Sequence, residues 1–237
     1  KNLDYKYWGG PDEEKIKSLY SSISHDAIVH VQGKISVYNG KLQLATNEPF
    51  TIESLSPEQY DLQDFIKPNK QDIEKMYSNL LRSVGLVQNK DLKSLLEKIF
   101  NDDEIAKKFK QHPASIEIHH NWISGLLQHT MEVLNYCMSS ANMFPDLNKD
   151  LLITGALLHD IGKLEELVVS SRIKGSIRGQ LVGHLALGLI YISNKIDEID
   201  GFDEDLKNKV LHMITSHHGK IEYGSPKEPM FPEAVAL

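Results

Sequence analysis

Apolar and polar positions alternate along the first fifty residues and then change period. Leu3, Tyr5 and Tyr7 alternate with Asp4, Lys6 and Trp8, and Val29, Val31, Ile35 and Val37 with His30, Gln32, Lys34 and Ser36. A period of two turns every second side chain to one face, so these runs predict strands. Asn39-Gly40, between Val37-Tyr38 and the run KLQLA, is a hairpin signal because both turn positions need positive φ. Pro11, Asp12, Glu13 and Glu14 give the first turn of a helix running to about Ser21.

From Gln71 the spacing becomes helical: Ile73, Met76, Tyr77, Leu80 and Leu81, then Leu92, Leu95, Leu96 and Ile99. Helices are expected over 71–84, 90–101, 103–111, 124–143, 149–160, 180–197 and 204–217, with turns at Pro113, Pro145, Gly162, Gly175, Gly201 and Gly224. Everything beyond residue 71 thus reads as helical. The fold class expected is α+β, with a β-rich domain over 1–53, a linker over 54–70 marked by Pro57 and Pro68, and a helical domain over 71–237. The strand, helix, hairpin order of the first domain is that of the second half of a small five-stranded OB-fold barrel. It holds too few strands to close one, so the sequence is expected to begin inside a domain.

The bulk numbers narrow the function. A chain of 237 residues with 41% hydrophobic composition can bury a sizeable core. A net charge of -7 excludes a whole-chain positive field for nucleic acid, so a polyanion would have to be gripped locally. Cys137 is the single cysteine, which rules out an internal disulfide and suits a reducing compartment. The apolar run Leu151 to Leu158 is interrupted by Thr154 and Gly155 and is far short of a membrane span. With no signal-peptide pattern at the start, a soluble cytoplasmic protein with no membrane partner is expected.

Against this background the stretch GALLHDIGK, residues 155–163, is anomalous. Burying an unpartnered polar group costs about 2–7 kcal/mol, yet His159 and Asp160 sit in an apolar run. Most of the eleven histidines fall between residues 112 and 218. His129 shares a helix face with Leu126, Val133 and Tyr136; His184 follows Gly183 in QLVGHLALG; His217 and His218 close LHMITSHH. Any one of these alone is explained as a core histidine bonded to a backbone carbonyl. Five, one of them beside an aspartate and each at the face or end of an apolar helix, point to a metal site assembled from facing helices. Imidazole and carboxylate suit Mn, Fe, Co, Ni or Zn, and a carboxylate can bridge two cations.

The order His129, then His159-Asp160 within HDIGK, resembles the HD superfamily of metal-dependent phosphohydrolases. With HHNWISGLLQHT, GALLHDIGKLEEL, GQLVGHLALG and SHHGKIEYGSPKEP in one order, the chain is more closely similar to the YhaM-type 3'-5' exoribonucleases, in which an OB-fold precedes the HD domain. The resemblance implies two divalent ions, manganese foremost. His129, His159 and Asp160 would hold the first; Asp160 as a bridge, His184 and one or both of His217 and His218 would hold the second. It also implies a further aspartate ligand, expected beyond the segment PEAVAL, and a homo-oligomer.

The activity implied is 3'-5' hydrolysis of single-stranded RNA, or DNA, by water activated between two cations. Asp160 and Lys163 are the catalytic candidates. Lys163 would neutralise charge on a phosphoryl oxygen, or else sit solvated at a helix C-terminus. His120, Arg172, Arg178 and Trp8 are the substrate-binding candidates, and Tyr5, Tyr7 and Tyr38 offer further faces for base stacking. His119 and His120 either touch a substrate phosphate or cap the helix and pack beneath Trp122, the structural role being favoured for His119, and His25, His30 and His112 are read as ordinary residues. Two rivals stand beside this reading: an HD phosphohydrolase of nucleotides or cyclic dinucleotides, which the acidic charge favours, and an inactive nucleic-acid-binding protein.

Overall fold

The computed structural model describes residues 3–8, 10–47 and 51–237, the side chains of Trp8 and Asn47 excepted. It divides into two units, Lys1–Ile66 with Ser170–Arg172, and Lys67–Val169 with Ile173–Leu237.

The first unit holds β1 (Asp4–Trp8), α1 (Glu13–Ser22), β2 (Val29–Val31), β3 (Lys34–Tyr38), β4 (Lys41–Asn47) and β5 (Ile52–Ser54). Asp12 caps α1, its carboxylate accepting the N–H groups of Glu14 and Lys15. Asn39 and Gly40 take φ of 49° and 75°, and β3 and β4 pair as the antiparallel hairpin this dipeptide predicts. β1 joins the other edge of β4 in parallel, from Asp4 opposite Gln43 to Trp8 opposite Asn47. The run from Val29 to Val37 serves two sheets, because β2 pairs instead with β5. The break falls at Gly33, where a Cβ would lie 2.4 Å from the Ala45 carbonyl oxygen. Among the described residues these two sheets do not close into a barrel. The stretch read as a linker carries two 3-10 turns, Pro57–Gln59 and Leu62–Asp64, and buries Ile66.

The second unit is built of α2 (Ile73–Val84), α3 (Lys90–Phe100), α4 (Asp103–Gln111), α5 (Gly125–Met143), α6 (Lys149–Leu158), α7 (Lys163–Glu166), β6 (Leu167–Val169), β7 (Ile173–Gly175), α8 (Ile177–Val182), α9 (His184–Asp197), α10 (Glu204–Ser216) and α11 (Pro232–Ala236). Asp72, Asn89, Asp102, Asn148 and Asp203 each cap a helix by accepting first-turn N–H groups. Each such cap is worth about 1 kcal/mol. α6 is the central element: Leu151 to Leu158 are all buried, which explains an apolar run without helical period. α5 packs along it, and α9 packs against α10.

The wholly helical expectation beyond residue 71 is corrected here. Residues 167–175 form a β-hairpin, β6 antiparallel to β7, whose three-residue strands are too short to show a period of two. The helix expected over 180–197 starts at His184, because Gly183 takes φ 77° and breaks it from α8. α6 ends at Leu158 rather than at residue 160. No helix among the described residues is long and apolar enough to cross a membrane.

Candidate metal centre

Each candidate ligand hangs from a helix end or face, and in four of the five histidines a hydrogen bond at Nδ1 fixes the ring. His159 is the C-cap of α6, and its Nδ1–H donates to the Ala156 carbonyl at 2.9 Å. His217 caps α10 in the same way, donating from Nδ1 to Ile214 at 2.8 Å. His218 donates from Nδ1 to the Tyr223 carbonyl at 2.9 Å. His184 opens α9, and both its backbone N–H and its Nδ1–H reach Glu166 Oε1, each at 3.0 Å. Carbonyls and carboxylates only accept, so the proton of all four imidazoles is held on Nδ1 and the Nε2 lone pair is turned inward. His129 projects from α5.

Asp160 stands between two groups of these nitrogens. Its Oδ2 lies 3.2 Å from His129 Nε2 and 3.2 Å from His159 Nε2. Its Oδ1 lies 3.6 Å from His184 Nε2 and 3.5 Å from His217 Nε2. The carboxylate is 3% exposed, and Oδ1 has no hydrogen-bond partner. The Nε2 atoms of His129 and His159 are 3.1 Å apart, and those of His184 and His218 are 3.2 Å apart. In the second pair both Nδ1 atoms are already donors, so two lone pairs confront each other.

A cation resolves both the orphaned oxygen and the opposed lone pairs. The donors form two groups able to hold a metal ion, His129 with His159 and Asp160, and His184 with His217 and His218, each with its ligand atoms within 4.8 Å of one another. Burial pushes the His159 and His218 imidazoles down, toward the neutral form that ligation requires. Burial pushes the Asp160 carboxyl up, but the imidazoles of His159, His129 and His217 around it outweigh this and hold the group well below the ordinary carboxylate range. Glu166 follows the same pattern, with burial raising it and His184 lowering it further.

The remaining sequence candidates are scattered more widely. Lys163 opens α7 rather than ending a helix, is mostly buried, and sets its Nζ 2.7 Å from Asp160 Oδ2, so the solvated alternative is corrected. His120 Nε2 lies 3.0 Å from Glu132 Oε2, and its ring, not that of His119, stands beside Trp122 at 5.2 Å. His119 instead lines the cavity of about 270 Å³ over Asp160, with Lys163 and His218. His119, His120 and His129 form a third group of clustered donors. Arg178 pairs with Glu165 and is not brought to the Asp160 cluster. Arg172 belongs to the first unit, where it pairs with Asp26 at 3.0 Å. The Trp8 side chain lies outside the described residues; Tyr5 and Tyr7 are half-buried, whereas Tyr38 is exposed with the Lys6 ammonium 4.9 Å over its ring. His112 is satisfied by the Leu167 carbonyl.

Two carboxylates that orient histidines were not singled out from sequence, Glu166 and Glu132. Their only signal is spacing, Glu132 three residues after His129 on one helix face and Glu166 three after Lys163.

No solved structure matches the chain. The family model described as the HD domain matches residues 126–237, a span that takes in His129, His159, Asp160, His184, His217 and His218. The chain therefore carries at residues 126–237 an HD domain, the domain of metal-dependent phosphohydrolases.

Proposed function

We propose that this protein is a 3'-5' exonuclease of single-stranded RNA, or DNA, working with two divalent ions, manganese foremost. The observation that carries the two-ion part is the division of Asp160, with Oδ2 turned to His129 and His159 and Oδ1 to His184 and His217. In this reading His129, His159 and Asp160 hold one ion, and Asp160, His184, His217 and His218 hold the other. When bound, such a pair lowers the pKa of water and offsets charge on a phosphodiester in line with the leaving oxygen.

The chain's own residues do the rest. Asp160 fixes the spacing of the two groups because one rigid carboxylate serves both. Glu166 holds His184 in its ligating tautomer, and the carbonyls of Ala156, Ile214 and Tyr223 do the same for His159, His217 and His218. Lys163 brings a cation to the cavity where a phosphoryl oxygen would sit. His119 lines the same cavity beside Lys163. What supports the nuclease over other phosphoesterases is the set of four motifs and an N-terminal β-unit presenting Tyr38.

The test is incubation of a 5'-labelled single-stranded oligonucleotide with the manganese-loaded protein. A ladder shortened by single nucleotides from the 3' end is expected; an untouched oligonucleotide overturns the reading. A second reading, a phosphohydrolase of nucleotides, is favoured by the net charge of -7. It is distinguished by release of inorganic phosphate from a nucleotide panel.

A further inference from the structure

A second cleft adjoins the Asp160 cluster, and we infer that it seats the nucleoside attached to the phosphate under attack. This rests on the reading that a phosphodiester is held at that cluster. The cleft measures about 580 Å³, within the range of about 300–1,000 Å³ typical of small-molecule sites. Its walls come from the loop over residues 114–118, from Leu167 and Gly175 of the hairpin, and from Gln180 of α8.

Three observations select the ligand. Lys163 lines both this cleft and the cavity over Asp160, so a group in the cleft continues directly into a phosphate position. One side is apolar and uncovered: Ile116 is 44% exposed and Ile118 is 88% exposed, beside the buried Leu167. Such side chains supply apolar surface against which a base can pack. Gln180 spends one amide N–H on the Gly175 carbonyl, and its other donor and its acceptor suit the hydrogen-bonding edge of a base.

The charges then limit what else can enter. Lys163 is the cation among the lining residues, against the carboxylates Glu117 and Glu166. Carboxylates accept from sugar hydroxyls and repel phosphates, so the cleft takes a nucleoside bearing one phosphate rather than a di- or triphosphate.

Isothermal titration of the manganese-loaded protein with adenosine 5'-monophosphate and with ribose 5-phosphate tests this. The nucleotide is expected to bind at least tenfold more tightly, and the Ile116→Ala/Ile118→Ala variant to erase the difference. Because both isoleucines are exposed, the single Ile118→Ala variant serves as the folded control, with a smaller loss in the same direction. Equal affinities in the wild type, or a difference that survives the double substitution, overturn the inference. Hydrolysis of methyl p-nitrophenyl phosphate by the wild type separates the two readings. Hydrolysis with equal affinities sinks the cleft alone; base-dependent binding without hydrolysis sinks the phosphodiesterase reading and leaves the cleft.

Discussion

Gly162 lies against the first residue of α9 so closely that a Cβ built on it would stand 2.0 Å from the carbonyl oxygen of His184. The turn carrying His159 and Asp160 and the helix carrying His184 are thereby held at backbone contact, and Asp160 Oδ1 comes within 3.6 Å of His184 Nε2. Gly162→Ala must push them apart. Overpacking of this kind costs about 1–3 kcal/mol, and the expected outcome is a lowered melting temperature together with loss of bound metal, read by calorimetry and elemental analysis.

Asp160→Asn keeps the size of the side chain and removes its charge. With one neutral amide where both histidine groups meet a carboxylate, metal content is expected to collapse and phosphodiester hydrolysis to fall below detection. Full activity in a correctly folded Asp160→Asn variant would refute the assignment of Asp160.

Glu166→Gln removes the acceptor charge that holds the proton of His184 on Nδ1. Losses of an orienting carboxylate lower metal affinity by about 10–100-fold. Chelator competition should show that drop while circular dichroism stays unchanged, since α7 and α9 keep their packing.

Tyr77 bonds its hydroxyl to the Phe100 carbonyl at 2.7 Å, and burial, with Asp102 and Asp103 adding to it, raises its pKa to about 12. The folded value exceeds the unfolded value of about 10, so the stabilisation is complete below pH 10 and is lost as pH rises toward 12. Tyr77→Phe is expected to cost about 1 kcal/mol at neutral pH and to flatten the alkaline part of the stability profile, measured by urea unfolding.

Leu157 in α6 is 1% exposed at the centre of the helical core. Leu157→Ala is expected to destabilise by about 2–5 kcal/mol in the same unfolding assay, with the metal site's spectroscopic signature retained at low temperature.

Sequence reading succeeded where one periodicity governs a long element. α2 to α5 and α10 begin and end within two residues of expectation because caps such as Asp72, Asn89 and Asp203 sit beside apolar stripes. It failed between Lys163 and Gly183, where α7, the β6-β7 hairpin and α8 are each too short for a period to emerge. The six ligand candidates stood out because histidine and aspartate are costly in apolar runs. Glu166 and Glu132 were hidden, since a glutamate on a half-exposed helix face is ordinary until the fold aims it at a histidine. Two three-residue strands, β2 and β5, pair across a stretch of chain that no local signal connects.

The carbonyls of Ala156, Ile214 and Tyr223 belong to a scaffold whose hydrogen bonds owe nothing to an ion. Three of the imidazoles are therefore aimed in advance, and stripping the protein with a chelator leaves a receptor already shaped for reloading. Occupancy becomes a matter of exchange on a standing framework, so different ions can be swapped into the same folded molecule and compared directly for turnover.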